Sequence, residues 1–240
     1  MSVDGQHLSV VFHHSVDATL LRMYIPKHFE ETRIDVLHDL MRAHPLAALV
    51  TQNGGRLDAN HIPLEIAPEP APFGTLRGHV ARANPVWRDV SQNISEDVEA
   101  LAIFQGPNAY VSPSWYPTKS STGLVVPTWN YAVVHAHGPL RVIEDRLWLR
   151  GLVERLTNRY EAGMSQPWKV TDAPADYIDK LLDTIVGLEI PITRLSGKWK
   201  VSQNRPPADR EGAADGLLER GGESGAAVAG LIRGAGRSGS

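Results

Sequence analysis

The chain reads as mainly β with helical additions, the strands closing into a barrel. Three observations predict this. Short runs of alternating apolar and polar residues recur along most of its length, as in Ile190 and Ile192 set against Pro191 and Thr193. Turn signals such as Asn53-Gly-Gly55 and Asn84-Pro85 separate these runs at hairpin-like spacing. Helical stripes are few, so antiparallel connections dominate, and a barrel is the economical way to bury such a sheet.

Residues 1–22 form a poorly patterned extension predicted to be disordered, and the coherent domain begins at Met23-Tyr-Ile-Pro26. A helix is predicted from Glu31 to Arg42, with Ile34, Leu37, Leu40 and Met41 on one stripe and Pro45 forcing the stop. Leu46 to Gln52 then forms a hairpin with Arg56 to Ile66. Pro63 inside the return run implies an edge, a bulge or a strand end. Further strands are predicted at Thr75–Arg82, Glu99–Gln105, Ala109–Ser112, Thr128–Glu144 and Gly187–Leu195. Leu149, Leu152, Val153 and Leu156 stripe one later helix. Ile178, Leu181, Leu182 and Ile185 stripe a second, which opens after Asp172 and Pro174 and ends at Gly187. The main domain thus runs over 23–206. From Pro207 to Ser240 the composition shifts to nine glycines and seven alanines, with four arginines against five acids. Two short amphipathic helices, Ala213–Arg220 and Ala226–Arg233, are predicted there before a Gly-rich, disordered end.

At 240 residues with 21% charged side chains and a net charge of −3, the balance calls for neither nucleic acid nor an anionic membrane. The chain has no cysteine, which excludes disulfides, thiolate metal sites and cysteine nucleophiles and makes a reducing cytoplasm the expected location. No apolar run approaches the roughly 20 residues of a membrane span, and Asp4, His13, His14 and Asp17 interrupt any signal-peptide core.

Several motifs carry less than they offer. Gly234-Ala-Gly-Arg-Ser-Gly239 matches a dinucleotide fingerprint but lacks the strand before it and the helix after it. His135 and His137 share a strand face, with His61 and His79 on neighbouring strands; no carboxylate accompanies them at ligand spacing, so no metal site is assigned. The serines around Lys119 lack a nucleophile elbow. The strand Thr75–Arg82 delivers Arg82 and Asn84 to its end, an arrangement that suits phosphate, or equally a solvated arginine and a capping asparagine.

The strongest signal lies in two aromatic blocks. One is Gly106-Pro-Asn-Ala-Tyr-Val-Ser-Pro-Ser-Trp-Tyr-Pro-Thr-Lys119, continued by Val126-Pro-Thr-Trp-Asn-Tyr131; the other is Gly197-Lys-Trp-Lys-Val-Ser-Gln-Asn-Arg205. Three of the six tryptophans fall here, beside Lys119, Asn130, Lys198, Lys200, Gln203, Asn204 and Arg205. A core does not accept so many unpaired donors, so binding or an oligomer interface is the better account. Rings for stacking and cations for charge-assisted bonds fit a flat, anionic, partly apolar ligand.

These blocks, with Met23-Tyr-Ile-Pro-Lys-His-Phe29, His61-Ile-Pro-Leu64 and Gly78-His-Val-Ala-Arg-Ala-Asn-Pro85, closely resemble the PaiB family of FMN-binding negative transcriptional regulators. The resemblance runs in order over about Met23 to Arg233. It implies a split β-barrel like that of pyridoxamine phosphate oxidase and a homodimer with FMN near the subunit interface. It also implies a repressor, with DNA as a partner on the strength of the resemblance alone. For the FMN phosphate the matching candidates are Arg82, Lys119 and Thr128, with Arg205 across the dimer and Asn84 at the same strand end. Pro63, Leu64, Trp115 and Trp129 would wall the isoalloxazine ring. Asn130 and the backbone around His61 would meet its polar edge. An FMN-dependent oxidoreductase acting on a small molecule, or a haem or flavin carrier using His135 or His137, stands as the alternative.

Overall fold

The computed structural model describes residues 23–53, 55–88 and 98–235. The extension 1–22 and the last Gly-rich residues lie outside this range. Among the described residues, ten strands form two antiparallel sheets. In chain order they are β1 (Glu30–Glu31), β2 (Leu46–Asn53), β3 (Arg56–Pro63), β4 (Glu65–Ala67), β5 (Thr75–Ala81), β6 (Glu99–Val111), β7 (Thr128–Pro139), β8 (Arg141–Ile143), β9 (Ile185–Pro191) and β10 (Arg194–Lys200). The six-stranded sheet has the order β1-β10-β7-β6-β2-β3 and the four-stranded sheet β4-β5-β9-β8.

Among the described residues, three short corners carry the chain from one sheet to the other. β3 continues into β4 through Leu64, β7 into β8 through Leu140, and β9 into β10 through Ile192 and Thr193. These corners close the barrel, and the backbones there approach tightly. A Cβ on Gly138 would run into the carbonyl oxygen of Pro191, and one on Gly74, at φ +80°, into that of Ala67. The sequence predicted single strands over Thr128–Glu144 and Gly187–Leu195, because apolar alternation continues through a corner unchanged. It also split β6 in two at Gly106-Pro107, where the structure has one strand carrying a register shift between Gln105 and Asn108.

The core lies between the sheets. Leu49, Phe104 and Ala136 of the large sheet face Leu76, Leu188 and Ile190 of the small one, all at most 1% exposed. Helix α1 (Ile34–Ala43) plugs one end with Leu37, Leu40 and Met41 and stops before Pro45. A five-residue helix, α2 (Thr118–Thr122), lies between β6 and β7 and ends at Gly123 in the left-handed region. Helix α3 (Arg146–Glu161) is capped by Asp145, whose carboxylate accepts the Trp148 amide at 2.6 Å. It packs with α4 (Ala175–Leu182) around Leu149, Val170, Ile178 and Leu182. Leu181, placed on the apolar stripe by the sequence, is instead 44% exposed, and α4 ends at Leu182 because β9 begins at Ile185.

The C-terminal segment is a packed hairpin of helices. α5 (Pro207–Arg220) and α6 (Glu223–Ala235) meet across Ala213, Ala214, Leu217, Val228, Ala229 and Ile232, and close on Val111, Tyr116 and Val201. Among the described residues no helix is long and apolar enough to cross a membrane.

A candidate flavin site at the start of β7

Antiparallel pairing of β7 with β10 sets Lys200 opposite Tyr131, so the first residues of β7 stand beside the turn that follows β10. That turn is stapled by one side chain. Gln203 accepts the Val201 amide at 2.8 Å and donates to the Trp199 carbonyl at 2.5 Å, while the Arg205 amide closes onto Ser202 O at 3.0 Å. Ser202 is thereby held at φ +62°, a conformation a non-glycine residue adopts at a cost of roughly 1–3 kcal/mol. Buried Asn130, 1% exposed, donates to the Ser202 hydroxyl at 2.8 Å and fixes it there.

These elements enclose a cleft of about 170 Å³ lined by Phe29, Tyr116, Thr128, Asn130, Lys200, Ser202 and Arg205, among others. Lys200 donates to the Thr128 hydroxyl and, at 2.8 Å, to the Trp129 carbonyl. Burial, and secondarily the charge of Lys198, lowers its pKa. Arg205 lies 5.0 Å from the centre of the Tyr116 ring. Burial pushes the Tyr116 hydroxyl up, against the opposing pull of Arg205.

Trp129 points away from this cleft. It is 54% exposed and meets Tyr110, 38% exposed, edge to face at 6.4 Å. Together they wall a groove of about 550 Å³ closed by Leu217, Arg220 and the Gly221–Gly225 turn. The other two tryptophans of the aromatic blocks have structural duties. Trp199 packs against the barrel core, and Trp115 lies on Gly216 of α5, its polar neighbours turned to solvent. For Trp199 the sequence overstated the binding reading, since an aromatic flanked by lysines can still face inward when the lysines alternate outward.

The predicted site residues therefore separate into groups. Thr128, Asn130 and Arg205 converge on the cleft, with Trp129 beside it. Trp115 and exposed Lys119 line an adjoining open concavity, where Lys119 donates to the Ser114 hydroxyl at 3.0 Å. His61, Pro63 and Asn84 sit at the far margin of the large sheet, where Asn84 donates to Asn60 at 2.8 Å. Leu64 is 2% exposed and faces the core from its corner, so its side chain is no wall for a ring. Arg82 stands at the end of β5, where it donates to Glu144 at 2.6 Å and to the carbonyls of Asp183 and Ile185. That charge is already satisfied. Sequence reasoning counted Lys200 among the donors of a binding or interface surface without giving it a role, and gave none to Phe29, Tyr116 or Ser202. The signal for Lys200 was present: a cation at the end of a strand paired with Thr128-Trp-Asn130.

His135 and His137 lie on β7 of the large sheet and His79 on β5 of the small one, and among the described residues no three metal-capable groups cluster. His137 Nδ1 lies 2.9 Å from Arg194 Nη2, and burial, Arg194 and His135 together lower its pKa to about 4. A folded-state pKa below the usual value of about 6.5 means the unfolded chain binds more protons between these limits. Stability contributed by neutral His137 is thus fully present above about pH 6.5 and is lost as pH falls towards 4. Urea midpoints measured across that range should fall with acid, and His137→Gln should flatten the slope. His135 and His79, both lowered chiefly by burial, act in the same direction and remain in that variant.

Comparison with known proteins identifies the family of the chain. The family model described as "Putative FMN-binding domain" matches residues 23–194. The chain belongs to that family. A Bacillus subtilis member, "Protease synthase and sporulation protein PAI 2", is 33% identical over 190 residues, covering 78% of this chain and 85% of that protein. An uncharacterized protein of Emericella nidulans is 35% identical over 244 residues, covering 88% and 96%. Among solved structures, the "FAD and Heme binding protein from Mycobacterium smegmatis" superposes at TM-score 0.53 with 19% identity, covering 71% of this chain and 73% of that one. The flavocytochrome Anf3 of Azotobacter vinelandii superposes at 0.54 with 11% identity, covering 73% and 72%. The protein is thus a PaiB-like member of the FMN-binding family, its fold is the flavin-binding split barrel, and its cofactor is a flavin. The residues at the start of β7 fit such a group: exposed rings lie beside partly buried cations, and one buried hydroxyl, that of Tyr116, makes no hydrogen bond of good geometry.

Proposed function

We propose that the protein is an FMN-binding negative transcriptional regulator of the PaiB type, acting as a homodimer with flavin held between the subunits. The observation that carries the flavin placement is the exposed Trp129–Tyr110 pair over its 550 Å³ groove. That volume lies within the roughly 300–1,000 Å³ typical of small-molecule sites. Folding alone gives no reason to leave these rings in water.

The dimer reading rests on the outer face of the large sheet. Ala102 and Phe104 of β6 point into the core, so Leu101 and Ile103 point outward, continuous with Ala48, Val50 and the 60% exposed Leu46 of β2. His61 and Pro63 lie on β3, the edge strand, three strands from β7, or roughly 14 Å. A second copy laid on this face brings the His61 margin of one chain towards the Trp129 margin of the other. Each copy would then complete the other's site. The repressor role and DNA as partner rest on the PaiB resemblance, with a cysteine-free cytoplasmic protein as the setting.

The first measurement is the visible absorption spectrum of natively purified protein titrated with FMN. Trp129→Ala should weaken FMN roughly tenfold, in line with about 0.5–1.5 kcal/mol for an aromatic stack beyond its buried area. Ile103→Glu should give a monomer in light scattering and lose flavin with it. Dimers that hold FMN normally in the Ile103→Glu variant would remove the interfacial placement. Salt-sensitive binding to a promoter fragment tests regulation. The size of the groove also favours a second reading, an FMN-dependent oxidoreductase with its substrate beside the ring; steady NAD(P)H-driven flavin reduction would decide for it.

A further inference from the structure

The cleft between β7 and the turn after β10 holds hydrogen-bonding capacity that the fold does not use. Tyr116 is 2% exposed, and its buried hydroxyl, although Ser202 and Arg205 lie beside it, makes no hydrogen bond of good geometry. Leaving such a group unpaired is expensive, and native structures do so where a ligand or water completes the bond. Tyr116 is one wall of a space also lined by Lys200 and Arg205, and the lining contains no carboxylate. The nearby buried acid, Asp209, is committed elsewhere: it accepts the Thr118 amide at 3.1 Å and the Thr118 hydroxyl at 2.7 Å. The Thr128 hydroxyl accepts from Lys200 while its own proton reaches the Trp129 carbonyl at only 3.5 Å, a weak bond that a ligand oxygen can displace.

Two cations, two hydroxyl donors and no counter-ion therefore face a volume of about 170 Å³. An isoalloxazine ring does not fit a space below the roughly 300 Å³ of the smallest drug-sized sites. A phosphate or carboxylate does. Ser202, strained at φ +62° and pinned by Asn130, rigidifies the wall in advance of binding.

We infer that this cleft is an oxyanion seat, in which Lys200 and Arg205 neutralise a phosphate or carboxylate while the Tyr116 and Thr128 hydroxyls donate to its oxygens. Two sources have this chemistry: the phosphate of FMN itself, and an anionic second ligand bound beside the flavin. The inference deepens the flavin reading in the first case and does not depend on it in the second.

The test uses the full chain and inorganic phosphate, titrated by calorimetry at constant ionic strength set with chloride. Saturable binding is expected, weakened about tenfold or more in Lys200→Met and several-fold in Tyr116→Phe, as charge-assisted bonds outrank neutral ones. Tyr116→Phe removes one oxygen and keeps the packed ring, so folding is preserved. Absence of saturable binding for both phosphate and acetate, or unchanged affinity in both variants, would overturn the seat. The source is read separately from flavin absorbance. Phosphate that competes with FMN but not with riboflavin assigns the seat to the cofactor's phosphate, and phosphate that competes with neither assigns it to a second ligand. Failure of riboflavin and FMN alike to bind, with phosphate still saturable, would sink the flavin placement and leave the seat standing.

Discussion

Phe104→Ala is expected to lower unfolding stability by about 3–5 kcal/mol, the usual range for emptying a fully buried phenylalanine site. Phe104 sits mid-strand on β6, paired with Val134 of β7, and is 0% exposed. It fills the space between the two sheets, and its neighbours are anchored in strands that hydrogen-bond on both sides. They cannot collapse into the gap, so both the lost burial and the cavity weigh on the fold. Against a typical domain stability of about 5–15 kcal/mol, this single change removes a large share. Urea unfolding should show a lower midpoint with unchanged slope. A loss below about 1 kcal/mol would mean that the barrel is not closed around this ring.

Much of this fold was legible because burial imposes a period on each strand and helix. The α1 stripe, the β2–β3 hairpin and the strand Thr75–Ala81 follow directly from it. Proline placed the stop of α1 for a stereochemical reason rather than a statistical one. At Pro63 it left an edge, a bulge or a strand end open, and the strand expected to run to Ile66 ends there. What the period cannot express is a change of sheet. Leu64 and Leu140 are apolar residues in an unbroken alternation, yet each turns a strand from one layer to the other. The same blindness affected the site. Leu64 and Trp115 belong to motifs that resemble flavin binders, and the structure gives both of them packing duties. Arg82 reads as a phosphate ligand until Glu144, 62 residues away in sequence, is seen beside it. Tyr116 was hidden for the opposite reason, since a tyrosine between tryptophan and proline carries no sign that its hydroxyl will be buried unpaired.

Gly216→Leu is expected to dislodge the C-terminal helices and weaken ligand binding at the cleft together. On an isolated helix the change is favourable, because leucine is a better helix former than glycine by most of 1 kcal/mol. Here a Cβ at position 216 would land on the Trp115 indole, next to the atom that joins it to its own backbone. The ring has little room to yield, since Gly212 one turn earlier is packed on the Trp115 carbonyl. Overpacking of this kind costs about 1–3 kcal/mol. The strain is delivered to Tyr116, the next residue in the chain, whose ring belongs to the same core as Ala213 and Leu217. It also loads the Asp209–Thr118 bonds that tie α5 to α2. The variant should therefore lose thermal stability and bind phosphate and FMN more weakly, although no changed atom lines the cleft. Gly230→Ala supplies the contrast, because a Cβ there meets nothing within 4 Å. It should stabilise α6 by up to about 1 kcal/mol and leave binding unchanged. Opposite signs for two glycines of one helical hairpin would show that α5 supports the ligand site from behind. Equal, small effects at both positions would reduce the hairpin to a passive cover.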